Sequence, residues 1–291
     1  AGMAAGPIMP DPKAEARHQP QIEETANGIP LVNITAPSSG GVSRNEYETF
    51  NVPDKGAILN NSYTLSKTEL AGYVQGNNNM AERPAKIIVN EVTGTGSTSM
   101  DGFLEVAGNR ADVVIANPNG ITVNGGGFIN TGKAFLTTGK PVYDGEDHLQ
   151  RFDITGGDIL IEGKGLGGKE TGSLAILSRA VKINAGIWAK DLHITTGANT
   201  VDAKTLEASA IEGKGERPAF ALDTAAIGGM YAGRITLVGT EKGLGVNNSG
   251  TWSAEDNLTL DWNGDLKNSG TIYSKGNTDL RASRLENDKT I

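Results

Sequence analysis

Asn248-Ser249-Gly250-Thr251 returns twenty residues later as Asn268-Ser269-Gly270-Thr271, and the Thr271-Ile272 that closes it is echoed nineteen residues on by Thr290-Ile291. Leu258 and Leu260 are matched by Leu280 after about the same interval. A period near 20 residues, with short apolar runs and Asn/Gly turns, points to a parallel β-solenoid, because one such unit cannot bury its apolar face without a neighbour stacked on it. The rest of the chain keeps the texture but not the spacing. Ala57–Leu59, Lys86–Val89, Asp112–Ala116, Ile121–Val123, Asp158–Ile161, Ser173–Leu177, Ala180–Ile183, Asp191–Thr195 and Arg234–Val238 all read as short strands between Gly, Asn and Asp. No amphipathic helix stands out; Ser66–Tyr73 offers one turn and Ala203–Ala210 the longest candidate. Residues 30–291 at ~20 per rung give about 12 rungs and a rod about 60 Å long. A β-sandwich is the competing architecture, but its core ordinarily carries more aromatics than the 5% found here.

Composition removes whole classes of function. The chain has no cysteine, so disulfides, thiolate nucleophiles and Cys-ligated metals are excluded. Its net charge of −8 is wrong for a nucleic-acid groove or an anionic lipid surface. No apolar run reaches the ~20 residues of a membrane-spanning helix. His18, His148 and His193 are scattered without ligand spacing. Asp144-Gly145-Glu146-Asp147 reads as a solvated loop, and Gly163-Lys164-Gly165-Leu166-Gly167-Gly168 as a turn, since no helix follows it to hold a dinucleotide. Gly94-Thr95-Gly96-Ser97 reads as a further loop. No catalytic residue, cofactor or metal site is expected. Residues 1–28 carry Pro7, Pro10, Pro12 and Pro20 with mixed charge and no periodicity, and read as a flexible arm. No signal peptide is visible in the arm; if the protein is exported, its signal has been removed. The chain ends at Ile291 inside a repeat, so a piece of a longer protein is expected.

The most pointed segment is Asn109–Val123, centred on Asn117-Pro118-Asn119-Gly120-Ile121. Its chemistry is that of a type I turn. The Asn117 side chain accepts from the backbone ahead, Pro118 presets φ, Asn119 tolerates the third position and Gly120 fits the fourth. Turn chemistry accounts for the whole string without any partner.

The same string resembles the N-P-N-G-I motif of two-partner secretion domains, which head large bacterial exoproteins such as filamentous haemagglutinins. Gly127-Phe128-Ile129-Asn130-Thr131 and Leu136-Thr137-Thr138-Gly139 follow it as in that family. Phe50-Asn51-Val52, Gly56, Leu59-Asn60-Asn61 and Ile88-Val89-Asn90-Glu91-Val92 precede it in the family's order. Val181–Gly197 and Asp223–Tyr231 look closest to the contact-dependent growth inhibition exoproteins. The resemblance covers roughly residues 29–250. In two places the chain departs from the pattern. The family's upstream N-P-N-L is Asn77-Asn78-Asn79-Met80 here, without the proline, and Val123–Gly127 lacks a cysteine pair found in some relatives.

This resemblance implies an all-β fold: a right-handed parallel β-helix with an N-terminal cap and β-hairpins outside the helix. It divides the chain into the arm, a secretion domain over 29–245 and the start of a repeat β-helix over 246–291. The implied partner is an outer-membrane transporter, met through its periplasmic domains and barrel, with Asn117, Pro118, Asn119, Gly120 and Ile121 as the recognition motif and Asn77, Asn78, Asn79 and Met80 as a second one. A secreted or surface-exposed monomer is expected, reaching the outside by way of the periplasm after its signal peptide is removed. Whether the motif is read by the transporter or only shapes a turn stays open at this level. Two other classes stay in view: an adhesin rod that binds surface ligands, and a β-helix polysaccharide lyase or hydrolase. The lyase or hydrolase would need a stripe of acidic or basic residues along one face, and none is evident.

Overall fold

The computed structural model describes residues 6–81 and 83–291. Successive short strands wind into three parallel ladders, which form the three faces of a β-helix. The first face stacks Pro30–Asn33, Ala57–Asn61, Phe103–Gly108, Gly126–Ile129, Leu166–Gly168, the first half of Gly186–Thr196, the first half of Gly229–Gly239, Thr251–Ala254 and Thr271–Ser274. The second runs from Val42–Phe50 through Ile87–Val92, Ala111–Ala116, Thr131–Thr137 and Ser173–Ser178 to Leu258–Trp262 and Thr278–Arg281. The third is an eight-stranded ladder from Thr98–Met100 to Arg284–Asn287. Every rung is parallel to the next, which rules out the β-sandwich.

In-register stacking makes the core. Leu166, Ile187, Met230, Trp252 and Ile272 form one inward column on the first face, and Ile115, Leu136, Ile176, Ile194, Leu237, Leu260 and Leu280 form one on the second. All belong to one continuous cluster that fills the helix, with Leu280 packed against it. On the third face the column changes character. Val123, Ile161 and Ile183 give way to Thr224, then to Asn248, Asn268 and Asn287. The Asn248 amide donates to the Asn268 carboxamide oxygen at 2.8 Å, and Asn268 donates to Asn287 at 2.9 Å. Each carboxamide thus satisfies the next, which lets a polar group stack inside the helix without a desolvation penalty.

The twenty-residue period is the true rung where nothing interrupts it: Val246 stacks on Leu266, and Leu266 on Leu285. Elsewhere the chain leaves the helix between rungs, so Ile121 stacks on Ile159 and Val181 on Leu222, about twice the period apart. These excursions reduce the expected 12 rungs to the nine strands of the first face and shorten the stack to about 40 Å. One excursion is the hairpin Ser66–Thr68 with Gly72–Val74. The others build an antiparallel sheet of Lys140–Tyr143, Leu149–Ile154, Asn199–Asp202 and Ala208–Ala210, which covers a second core cluster around Val114, Phe135, Phe152 and Val201. Both candidate helical turns, Ser66–Tyr73 and Ala203–Ala210, therefore contain strands instead.

The expected flexible arm is corrected as well. Residues 1–5 lie outside the described residues, but 6–28 carry paired structure. Ile8–Pro10 adds antiparallel to Val42–Phe50, and Gln21–Glu24 antiparallel to Pro30–Asn33, with a short 3-10 turn at Ala16–His18 between them. Together they close the bottom of two faces. The prolines and charges that read as disorder are what an end strand needs, since they deny the next chain a ready ladder.

Candidate functional site

Asn117 ends a second-face strand and turns the chain into the third face. Its side chain is fully buried. The amide donates to the Gly96 carbonyl at 3.0 Å and to Thr98 Oγ1 at 2.9 Å, both from the rung below, while the carboxamide oxygen accepts the Asn119 N–H at 2.9 Å. The Gly120 N–H closes the turn on the Asn117 carbonyl at 3.2 Å. Gly120 sits at φ +113°, and a Cβ there would lie 3.2 Å from the Asp158 carbonyl of the next rung, so only glycine fits. Ile121 is buried and stacks between Thr98 and Ile159 on the third face. Asn119 donates to the Gly94 carbonyl at 2.8 Å. The corner is stapled to the Gly94–Ser97 loop, and only Pro118 and Asn119 face solvent.

Asn77–Met80 repeats this geometry without the proline. Buried Asn77 donates to the carbonyls of Ile34 at 3.0 Å and Asn60 at 2.9 Å, and accepts the Asn79 N–H at 2.9 Å. The Met80 N–H closes the turn on the Asn77 carbonyl at 3.0 Å. Asn79 donates to the Ile34 carbonyl at 3.1 Å and to Gln21 of the cap at 2.8 Å. Asn78 is exposed where Pro118 stands in the sister turn. Asn78→Pro should therefore raise stability by about 0.5 kcal/mol, because it restricts the unfolded chain at a compatible turn position; a shift of the urea midpoint upward at constant slope checks it. The structure does not bring the two motifs together. They staple different corners on different rungs, and no hydrogen bond joins them.

A wider set of asparagines entered the sequence reading only as part of the family's motif order, with no structural task assigned to them. Asn60, Asn61 and Asn90 lie buried within strands. Asn61 donates to the carbonyls of Ala85 and Asn109, each at 3.0 Å. Asn90 accepts from the Tyr47 hydroxyl at 2.8 Å and donates to the Val114 carbonyl at 3.1 Å. Asn130, at φ +58°, donates to Val106 and Gly108. The available signal was their placement, since asparagine is depleted in strands unless its amide has a task there.

The charged groups clamp the cap to the excursion. Asp147 accepts from Arg44 at 2.8 Å and Arg17 at 3.0 Å, and the Arg44 guanidinium lies 3.9 Å over the Tyr143 ring. Beside them Glu91 faces Glu46 directly across parallel strands. Burial, reinforced by the Glu46 charge, pushes the Glu91 carboxyl up to about 7. The histidines serve separate local contacts: His18 with Glu46, His148 with Asp144, His193 with Thr195. Among the described residues no three His, Asp or Glu side chains are grouped to hold a metal ion.

A capped single-chain β-helix whose corners are stapled by asparagine is the build of a secretion domain from exported bacterial surface proteins. The family model for the TPS secretion domain matches residues 7–272, and the chain belongs to that family. The match takes in the cap strands and reaches into the regular rungs beyond residue 245. The chain is 43% identical, over 94% of its length, to a protein named Toxin CdiA from Yersinia pestis, and 44% identical over 89% to a 16S rRNA endonuclease CdiA from Enterobacter cloacae. It spans 9% and 8% of the length of those two relatives. Among solved structures it is similar to the filamentous hemagglutinin secretion domain, with a TM-score of 0.82 and 32% identity over 97% of both chains. The chain is thus an export domain of the CdiA-like exoproteins, which are secreted or held at the cell surface.

Proposed function

We propose that the Asn117–Ile121 corner is the element by which an outer-membrane transporter's periplasmic domains select this chain for export. In this reading the protein reaches the transporter as a monomer in the periplasm, after its signal peptide is removed, and passes through the barrel to the outside. Residues 29–245 are the secretion domain proper and 246–291 the first regular rungs of a longer stalk, whose far end holds a growth-inhibition effector. The domain itself carries no catalysis.

One observation supports the corner as a reading point. Burial of Asn117 fixes the turn, which leaves Pro118 and Asn119 as its solvent-facing residues. The side chain of Asn119 makes its rung contacts at the surface, so its loss costs the fold under about 1 kcal/mol. A secretion assay with the cognate transporter tests the reading. Asn119→Ala should keep the wild-type circular dichroism and melting curve while secretion falls at least tenfold and the chain accumulates in the periplasm. Normal secretion of this variant sinks recognition at the corner and leaves the motif a turn and nothing more.

A further inference from the structure

In every rung the chain turns from the first face into the second, and from the second rung to the seventh that corner carries a cation. Lys86 stands directly before Ile87–Val92, and Arg110 between Phe103–Gly108 and Ala111–Ala116. Lys133 lies one rung up, where its N–H donates to Asp112 Oδ1 at 2.8 Å. Lys169 follows Gly168, and Lys190 follows Ala189, which stacks on Gly168. Arg234 stacks on Asp191, the residue after Lys190. Each of the six comes from a separate stretch of sequence, so no run of basic residues announces the row. All six are exposed. Among the described residues none of them has a carboxylate within ion-pair distance, whereas Arg17, Arg44, Arg151, Arg179 and Arg217 each hold one. Asp112, Glu170 and Asp191 lie among them, and Asp112 is already engaged by the Lys133 N–H. A chain of net charge −8 thus sets six cations in one line. At ~4.8 Å per rung the row is about 24 Å long. Its floor is bare: a Cβ on Gly172 would lie 2.5 Å from the Gly132 carbonyl and 3.7 Å from Arg110 Nη2. Between Lys86 and Arg110 the surface sinks into a hollow of about 530 Å³, lined also by Asp112 and Gly132.

We infer that this corner is a binding site for an extended acidic polysaccharide, whose carboxylates meet the cations rung by rung. The inference concerns the folded domain and is independent of the transporter reading. Four observations choose the occupant. A single line with one charge per rung fits a linear chain, and a sugar ring in an extended chain advances by about the height of a rung, so successive acid groups reach successive cations. A nucleic-acid strand asks for aromatic rings between the basic groups, on which its bases stack, and the row has none. A protein partner would rest on aromatic anchors in an interface poor in lysine, yet four of the six are lysines. An anionic bilayer would meet the acidic remainder of the molecule as well, including Glu255 and Asp256, which take the same corner in the eighth rung.

Calorimetric titration of the purified chain with oligogalacturonates of two to ten units, one carboxylate per sugar, tests the site. Binding should tighten with length up to about six sugars, one per rung, weaken steeply with added salt, and be absent for neutral dextran. The combined variant Lys86→Gln, Arg110→Gln, Lys133→Gln and Lys190→Gln should keep the wild-type melting curve, because these exposed side chains hold no other described group in the fold, while affinity falls at least tenfold. A control that removes four exposed cations elsewhere, Lys13→Gln, Lys164→Gln, Lys267→Gln and Lys289→Gln, should bind within twofold of wild type. Equal losses in the two variants, or an affinity indifferent to oligomer length, reduce the effect to net charge and overturn the site. An oligothymidylate or phosphatidylglycerol vesicles bound more tightly than the six-sugar probe would give the row to another ligand and overturn the inference, as would failure of the wild-type chain to bind any oligogalacturonate.

Discussion

Asn117→Ala is expected to destabilise the domain by about 3 kcal/mol, far more than its neighbour Asn119→Ala, although the two residues belong to one motif. The Asn117 side chain makes three hydrogen bonds from a fully buried position, two of them to the rung below. Alanine leaves Thr98 Oγ1 and the Gly96 carbonyl short of a donor and removes the acceptor that fixes the Asn119 N–H. Thr98 is buried, so its unpaired hydroxyl carries most of the cost, about 1–3 kcal/mol for such a group, whereas Gly96 is exposed and its carbonyl keeps a weak donor in Asn119 at 3.3 Å, which limits the total. Urea unfolding followed by circular dichroism reads the loss. A drop below about 1 kcal/mol, the size of one ordinary exposed hydrogen bond, contradicts the staple. The contrast matters for function. Secretion lost in Asn117→Ala is explained by misfolding alone, whereas secretion lost in stable Asn119→Ala is not.

The second large effect concerns Glu91. It faces Glu46 across the ladder, and the Lys140 and Arg44 charges offset burial and that like charge only in part. Its carboxyl titrates at about 7 in the fold against 4.5 for the ordinary group. A raised carboxyl binds its proton more tightly folded than unfolded, so the sign is unfavourable as pH rises. Below pH 4.5 both states are protonated and the residue costs nothing; from there to about 7 the cost grows, and above 7 it is complete. At ~1.36 kcal/mol per pH unit the full cost is at most about 3 kcal/mol. Glu91→Gln should therefore stabilise the protein by about 2–3 kcal/mol at pH 8 and leave it unchanged at pH 4. Paired unfolding curves at the two pH values check this. A variant no more stable than wild type at pH 8 contradicts the half-buried, charge-crowded setting of Glu91.

How much of this was legible follows from where the pattern is local. Residues 246–291 stack rung on rung, so their 19- and 20-residue spacing lies open in the text. Before residue 246 the excursions break that spacing, and only the family's ordered motifs carried the β-helix reading through. The type I turn at Asn117 was readable because Asn-Pro-Asn-Gly is local chemistry. Its attachment to Gly96 and Thr98 was not, because a staple to another rung leaves no local trace. The upstream motif lacks the proline at Asn78, yet Asn77 forms the same turn, since two buried carbonyls hold its amide whatever residue follows. The cap was misread for a related reason: strands of three or four residues are too short to show alternation, and their prolines imitate disorder.

The closed bottom of the stack gives the molecule a polarity. Ile8–Pro10 and Gln21–Glu24 run against the parallel strands they cover, and prolines and exposed glutamates leave no ladder for another rung on those two faces. Rungs can add only at the opposite tip. A chain emerging cap-first therefore behaves as a seed with one growing end: each finished turn is the template for the turn after it, and the free energy of folding is released in the order in which the chain arrives.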